Sequence, residues 1–88
     1  MGFGGNPHVA KAEAAEAKAR EAKDQASEVR AYMEAAHLWE RAAGKEADGK
    51  RRTLYAANAE AARERSEAAA KKPAPALSEV VARIKARS

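Results

Sequence analysis

Glu34-Ala35-Ala36-His37 is the spacing in this 88-residue chain with the most capacity for chemistry. Residues three apart on a helix share a face, so the pair offers a carboxylate and an imidazole side by side. Two such pairs with further glutamates hold a pair of metal ions inside a helical bundle. In so short a chain the second pair would have to come from a second copy, with Glu60, Glu64 or Glu67 as added ligands. The helical wheel speaks against this reading. It groups Glu34 and His37 with Arg30 and Arg41, and two cations beside a metal ion are unfavourable. An Arg30/Glu34 pair at i, i+4 accounts for the glutamate as part of a solvated face. No metal ligand and no cofactor is therefore assigned, and His8, at a helix start, has no evident role.

Nothing else in the chain suggests a catalytic site. There is no cysteine, so disulfides, cysteine-based zinc sites and thiol catalysis are excluded. Neither a plausible Ser/His/Asp set nor a glycine-rich phosphate loop exists, and the expectation is that the protein is not an enzyme. The basic residues are a separate matter. They cluster at Lys50-Arg51-Arg52, at Lys71-Lys72, and at Arg83, Lys85 and Arg87, which could contact phosphates if gathered into one patch. The net charge is +4, however, with 13 acidic residues interspersed among 17 basic ones, so the charges largely offset locally. Lys71 and Lys72 also suit a helix C-terminus without any ligand.

The elements that must position these groups are helical. The hydrophobic fraction is 45%, but most of it is alanine, a strong helix former that buries little area. Asn6-Pro7 reads as an N-cap followed by the first helical residue. From His8 to Ala43 no Gly or Pro intervenes, and Ala12, Ala15, Ala19, Ala22, Ala26, Val29, Met33 and Ala36 follow alternating steps of three and four. Such a seam permits close helix approach. After Val29 the apolar stripe widens to include Tyr32, Leu38 and Trp39, and a stripe that wide asks for neighbours on two sides. This stretch is either one long helix or two, with a break at Asp24-Gln25-Ala26-Ser27 and Ser27 as the new cap. The width of the stripe favours the break.

Gly44 suits a helix C′ position, Asp48-Gly49 a turn, and a second long helix follows from Lys50 to Lys71. The short connection predicts antiparallel packing. Glu40 falls within the stripe, and pairing with Arg65 or Asn58 across the hairpin would set register, with snorkelling at the stripe edge as the alternative. Tyr32, Leu38, Trp39, Leu54 and Tyr55 are the expected core anchors.

Tyr32, Ala35, Trp39 and Ala42 alternate aromatic and small residues in a way that resembles the second helix of a tetratricopeptide repeat. Leu54 to Ala62 is similar to the third helix of the three-helix MIT domains. The likeness covers about half the chain and departs from the repeat at Lys23 and Ala26, where its first helix has a small Gly and a bulky Tyr. It implies a helical adaptor that accepts a peptide or helix in a groove.

Domain organisation follows. Residues 1–5 are a glycine-rich, disordered N-terminus, residues 6–72 an alanine-rich hairpin or bundle, and residues 73–76 a Pro/Ala linker. Residues 77–88 form a short amphipathic helix, with Leu77, Val80, Val81 and Ile84 on one face as the expected partner-binding surface. A helix of this length folds mainly by docking, either on this chain's own groove or on a partner. The fold class expected is all-α: an antiparallel helical hairpin or small three-helix bundle with a tethered C-terminal amphipathic helix. The functional expectation is a small non-enzymatic adaptor or assembly protein working through protein partners or self-association. The alternatives are a nucleic-acid-binding accessory protein and a metal-binding ferritin-like half-bundle built on Glu34 and His37. No membrane span and no small-molecule substrate are expected. A cytoplasmic location follows from the lack of a signal peptide, and the Ala/Arg-rich, Ile-poor usage suits a GC-rich bacterial or phage genome.

Overall fold

The computed structural model describes residues 5–72, which form three α-helices: α1 (Pro7–Arg20), α2 (Gln25–Lys45) and α3 (Gly49–Ala70). The protein is an all-α, small three-helix bundle, and the stretch from His8 to Ala43 is two helices rather than one. The expected linker 73–76 and the helix 77–88 lie outside the described residues, as do residues 1–4.

The first break is made by Asp24. Its carboxylate accepts the Ser27 backbone N–H at 2.7 Å and the Ser27 hydroxyl at 3.0 Å, which caps α2. Aspartate competes well at this position because one oxygen satisfies an amide that the helix itself leaves without a partner. The cap is therefore Asp24, and the expected capping residue, Ser27, is the donor. At the other end of α1, Asn6 caps as expected, accepting the His8 N–H, with Pro7 the first helical residue.

The second break differs from the sequence expectation. Gly44 does not terminate α2, which runs one residue further and ends at Glu46 in an extended conformation. Asp48 is the N-cap of α3 rather than part of a free turn, accepting the Arg51 N–H at 2.9 Å. Both connections are thus closed by an aspartate at the start of the following helix.

α2 lies between the other two helices and packs against both, whereas α1 and α3 have little contact with each other. The wide stripe of α2 is divided accordingly. Ala12 and Ala15 of α1, Ala35, Ala36, Trp39 and Ala42 of α2, and Ala59 and Ala62 of α3 form one buried cluster, bordered by Val9, Leu38 and Tyr55. A smaller cluster of Ala19, Ala31 and Tyr32 lies beside it. Among the described residues, ten of the twelve buried hydrophobic side chains are alanine, so contact depends on backbones approaching closely rather than on side-chain bulk.

Trp39 supplies most of the bulk. Its ring stacks on Tyr55 of α3, with centroids 5.6 Å apart, and its indole N–H donates to Glu16 of α1 at 2.8 Å. One side chain therefore fastens both interfaces of the central helix. Leu54, expected beside it in the core, is 55% exposed. One residue before Tyr55, it is turned by about 100° off the buried line of α3.

Side-chain to main-chain hydrogen bonds hold the helix ends together. The Asn6 amide donates to the Ala42 carbonyl at 2.8 Å, joining the start of α1 to the end of α2. The Gln25 amide donates to the carbonyls of Ala69, Ala70 and Lys72, closing the end of α3 from the start of α2. Buried Ser66 donates to the Val29 carbonyl at 3.2 Å, and Lys72 pairs with Glu28.

Two outcomes follow from this packing. Trp39→Ala should cost about 3–5 kcal/mol, as for other large aromatic truncations, and so remove much of the margin of so small a domain. Leu54→Lys should change stability by no more than about 0.5 kcal/mol, whereas Ala35→Leu should cost about 1–3 kcal/mol by overpacking. Urea unfolding followed by far-UV circular dichroism measures all three.

Candidate functional site

Asp24 and Gln25 set the orientation of α2, and with it every surface that α2 presents. The Asp24 carboxyl is held below its ordinary pKa of 3.8, first by the hydrogen bond from the Ser27 amide, then by the Ser27 hydroxyl and the charge of Arg30. The ionised form is thus the better cap.

Glu34 and His37 are both exposed, Glu34 beside Lys11 and Lys18 of α1 at the edge of the α1–α2 interface. His37 lies 3.7 Å from Glu40, its neighbour along the same helix. Glu60, Glu64 and Glu67, the further ligands considered, are exposed on α3, and among the described residues no three His, Cys, Asp or Glu side chains converge on a point that could hold a metal ion. His8 is half-buried, and its Nδ1 atom is buried without a hydrogen-bond partner.

Glu40 does bridge the hairpin, but not to the residues expected. Its partner is Arg63, which also pairs with Glu60 at 2.9 Å. Arg65 is exposed and Asn58 half-buried. The wheel explains the exchange: Glu40 lies about 100° from Trp39 towards one flank of α2, and Arg63 lies on the matching flank of α3, with Arg65 on the other. Both carboxylate and guanidinium are partly solvated, so the pair marks register more than it stabilises.

Lys50, Arg51 and Arg52 lie in the first turn of α3, and Lys71 and Lys72 follow its last residue. About 20 residues of helix separate the two groups, roughly 30 Å at 1.5 Å per residue. The structure does not bring them together. Arg51 approaches Glu46 at 3.8 Å, Arg52 donates to the Ala47 carbonyl at 3.4 Å and Lys72 is paired with Glu28, which draws three of the five cations into local contacts. Arg83, Lys85 and Arg87 lie outside the described residues, as do Leu77, Val80, Val81 and Ile84.

Of the expected core anchors, Tyr32 and Trp39 are buried and Leu38 and Tyr55 half-buried. The seam expected from Ala12 to Ala36 is interrupted. Ala12, Ala15 and Ala19 are buried, but Ala22 is half-buried and Ala26 exposed, because the chain leaves the helix at Glu21 and re-enters at Gln25 in a different phase. What remains of the seam on α2 is a separate strip of Ala26, Val29 and Met33. Val29 is half-buried, and Met33 is 42% exposed. The strip lies on the flank of Glu40, about 120° from Trp39 at Met33. Further along this flank, Glu40, Ala43, Ala56, Ala59, Glu60 and Arg63 line a shallow groove of about 230 Å³ between α2 and α3.

Three contacts that organise the molecule were not anticipated: Trp39 with Glu16, Gln25 with the end of α3, and Ser66 with Val29. Trp39 carried a usable signal, since a buried indole N–H requires an acceptor on a neighbouring helix. Ser66 carried one too, as a small polar residue in phase with Ala59, Ala62 and Ala69. For Gln25 the sequence holds no comparable sign.

Compared with known proteins, the chain matches no family model, and no curated protein or solved structure is similar to it. No helix among the described residues is long and apolar enough to cross a membrane.

The lowered pKa of Asp24 fixes the sign of one pH effect. A carboxylate with a depressed folded-state pKa contributes its stabilisation above the unfolded value and loses it as pH falls through the lowered value. The thermal unfolding midpoint should therefore fall as pH drops below the ordinary aspartate value of 3.8 and through the lowered one. Asp24→Asn should flatten that part of the profile while leaving the neutral-pH fold intact.

Proposed function

We propose that this protein is a small, non-enzymatic helical adaptor or assembly protein that acts through protein–protein contacts. The observation that carries the reading is the Ala26–Val29–Met33 strip, an apolar line at helical spacing on the central helix that neither α1 nor α3 fully covers. An amphipathic helix laid along such a line meets it with anchors at i, i+3, i+4 and i+7. The chain carries a segment of that kind in Leu77, Val80, Val81 and Ile84, so copies of the protein are among the partners it can serve. The resemblance of α2 to the second helix of a tetratricopeptide repeat fits the same use, a helical platform receiving a helix.

The alternative of a nucleic-acid accessory protein is weakened by the separation of the two basic groups along α3. The metal-binding alternative is weakened by the outward, cation-flanked position of Glu34 and His37.

Light scattering on a sizing column, at low and high salt and at protein concentrations rising to the millimolar range, tests the reading. The expected result is association that is indifferent to salt and is lost in Met33→Glu. A protein that stays monomeric throughout, yet binds duplex DNA with an affinity falling steeply as salt is added, would overturn it in favour of the nucleic-acid reading.

A further inference from the structure

We propose that the groove between α1 and α2, on the flank of α2 opposite Met33, is a second docking surface and that it receives an acidic amphipathic helix of a partner protein. This goes beyond the reading above, because it gives the molecule a surface of different chemistry, with which one copy joins two partners.

The groove is built by two facing lines of residues. Lys11, Ala14 and Lys18 are spaced 3 and 4 along α1, and Arg30, Glu34, Leu38, Arg41 and Lys45 are spaced 4, 4, 3 and 4 along α2. On the wheel of α2, Leu38 and Glu40 stand about 100° to either side of Trp39, so this line and the flank of Met33 do not overlap. Two hollows follow one another between the lines. One of about 280 Å³ lies between Lys11 and Leu38, and one of about 550 Å³ continues from Lys18 and Glu34 to Lys23 and Arg30 at the first connection. Buried Ala15 and Ala31 make the floor, so a visiting helix comes close, and half-buried Leu38 is the largest apolar side chain it meets.

Charge indicates the partner. Of the 14 cations and 12 carboxylates among residues 5–72, six and three stand along this groove, whereas the rest of the bundle carries eight against nine. Lys11, Lys18, Lys23, Arg30, Arg41 and Lys45 are all exposed, and among the described residues none of them is in an ion pair. The three carboxylates are Glu21, Asp24 and Glu34, and Asp24 is already engaged by Ser27. Lys11 and Lys18 are seven helical residues apart, about 10 Å, so carboxylates at i and i+7 of a partner helix meet both.

A phosphodiester strand fits this groove less well. It offers nothing apolar to Leu38 and the alanine floor, and Glu34, in the middle of the groove, opposes its phosphates. A helix with leucines on one face and glutamates beside them covers the floor and pairs with the cations along the rims. A lysine or arginine on the same helix reaches Glu34. Complementary charge of this kind steers the encounter and selects the partner.

The probe is a synthetic peptide with leucines at i, i+3, i+4 and i+7 and glutamates on both sides of that face. It is titrated into the full chain carrying Met33→Glu, which takes the strip on the other flank out of play. The readout is the methyl signals of Ala14, Leu38 and Leu54. Saturable shifts of Ala14 and Leu38, with Leu54 unmoved, are the expected result. Adding Lys18→Glu and Arg30→Glu, both at exposed positions, should weaken binding by about tenfold or more and leave the circular dichroism of the bundle in place. Absence of saturation up to millimolar peptide would overturn the proposal, and so would shifts of Leu54 in place of Leu38 or unchanged binding after the two charge reversals. A single-stranded oligonucleotide that shifts Ala14 and Leu38 at lower concentration than the peptide would overturn it in favour of nucleic acid. The charge reversals leave the Met33 strip intact and Met33→Glu leaves the groove intact, so this surface and the association measured by light scattering can fail separately.

Discussion

Trp39 is in contact with both neighbours of the helix that carries it, and little else in the molecule is large enough to replace it. α1 and α3 scarcely touch, so the bundle has no third interface to fall back on. The indole closes this gap chemically as well as sterically. Its flat face takes the Tyr55 ring, and its N–H would be an uncompensated buried donor without the Glu16 carboxylate. A charged acceptor strengthens that bond and fixes the rotation of α1 about its own axis. The alanines on either side need only follow.

Alanine brings helices close and then has nothing more to offer. With so little area buried per residue, the ends of the helices must be secured by directional contacts, and four side chains do so. Asp24 and Asp48 cap the helices that follow the two connections, and Asn6 and Gln25 donate to carbonyls of the neighbouring helix. These amide bonds satisfy C-terminal carbonyls that a helix leaves open, and they do so across an interface, so each helix is completed by another. Such a bundle resists sliding of one helix past the next, which an all-alanine seam by itself would permit.

The parts of this fold that were legible in the sequence are those written in local chemistry. Asn6-Pro7 announced α1, and the widened stripe after Val29 announced a helix with two neighbours. The uninterrupted run after Gly49 announced α3. Most of the errors have one physical origin, which is phase. A seam drawn from Ala12 to Ala36 assumes an unbroken helix, and four residues outside the helix between Arg20 and Gln25 rotate everything downstream. The same ambiguity of rotation put Leu54 in the core beside Tyr55 and offered Glu40 Arg65 or Asn58 as a partner in place of Arg63. Periodicity shows that a face exists, but the turn decides where it points. Gly44 misled for a different reason: glycine permits a left-handed terminus without requiring one, and the Asp48 cap determines where the next helix starts.

The phase shift at Asp24 also bears on function. Had α1 and α2 been continuous, Ala26, Val29 and Met33 would have been one more stretch of the seam used by α1. The break returns only Ala36 of that seam to the core and leaves the first three at the border of α3 and solvent. An apolar line displaced from the core by a cap is not a packing remnant that the bundle could readily discard, because the cap that creates it also positions Trp39. The glutamates and His37 on the remaining arc of α2 are solvated and flanked by arginines, which suits a surface that must stay soluble while its apolar edge is in use. On the proposed reading, the line of Met33 is where the protein would meet a partner.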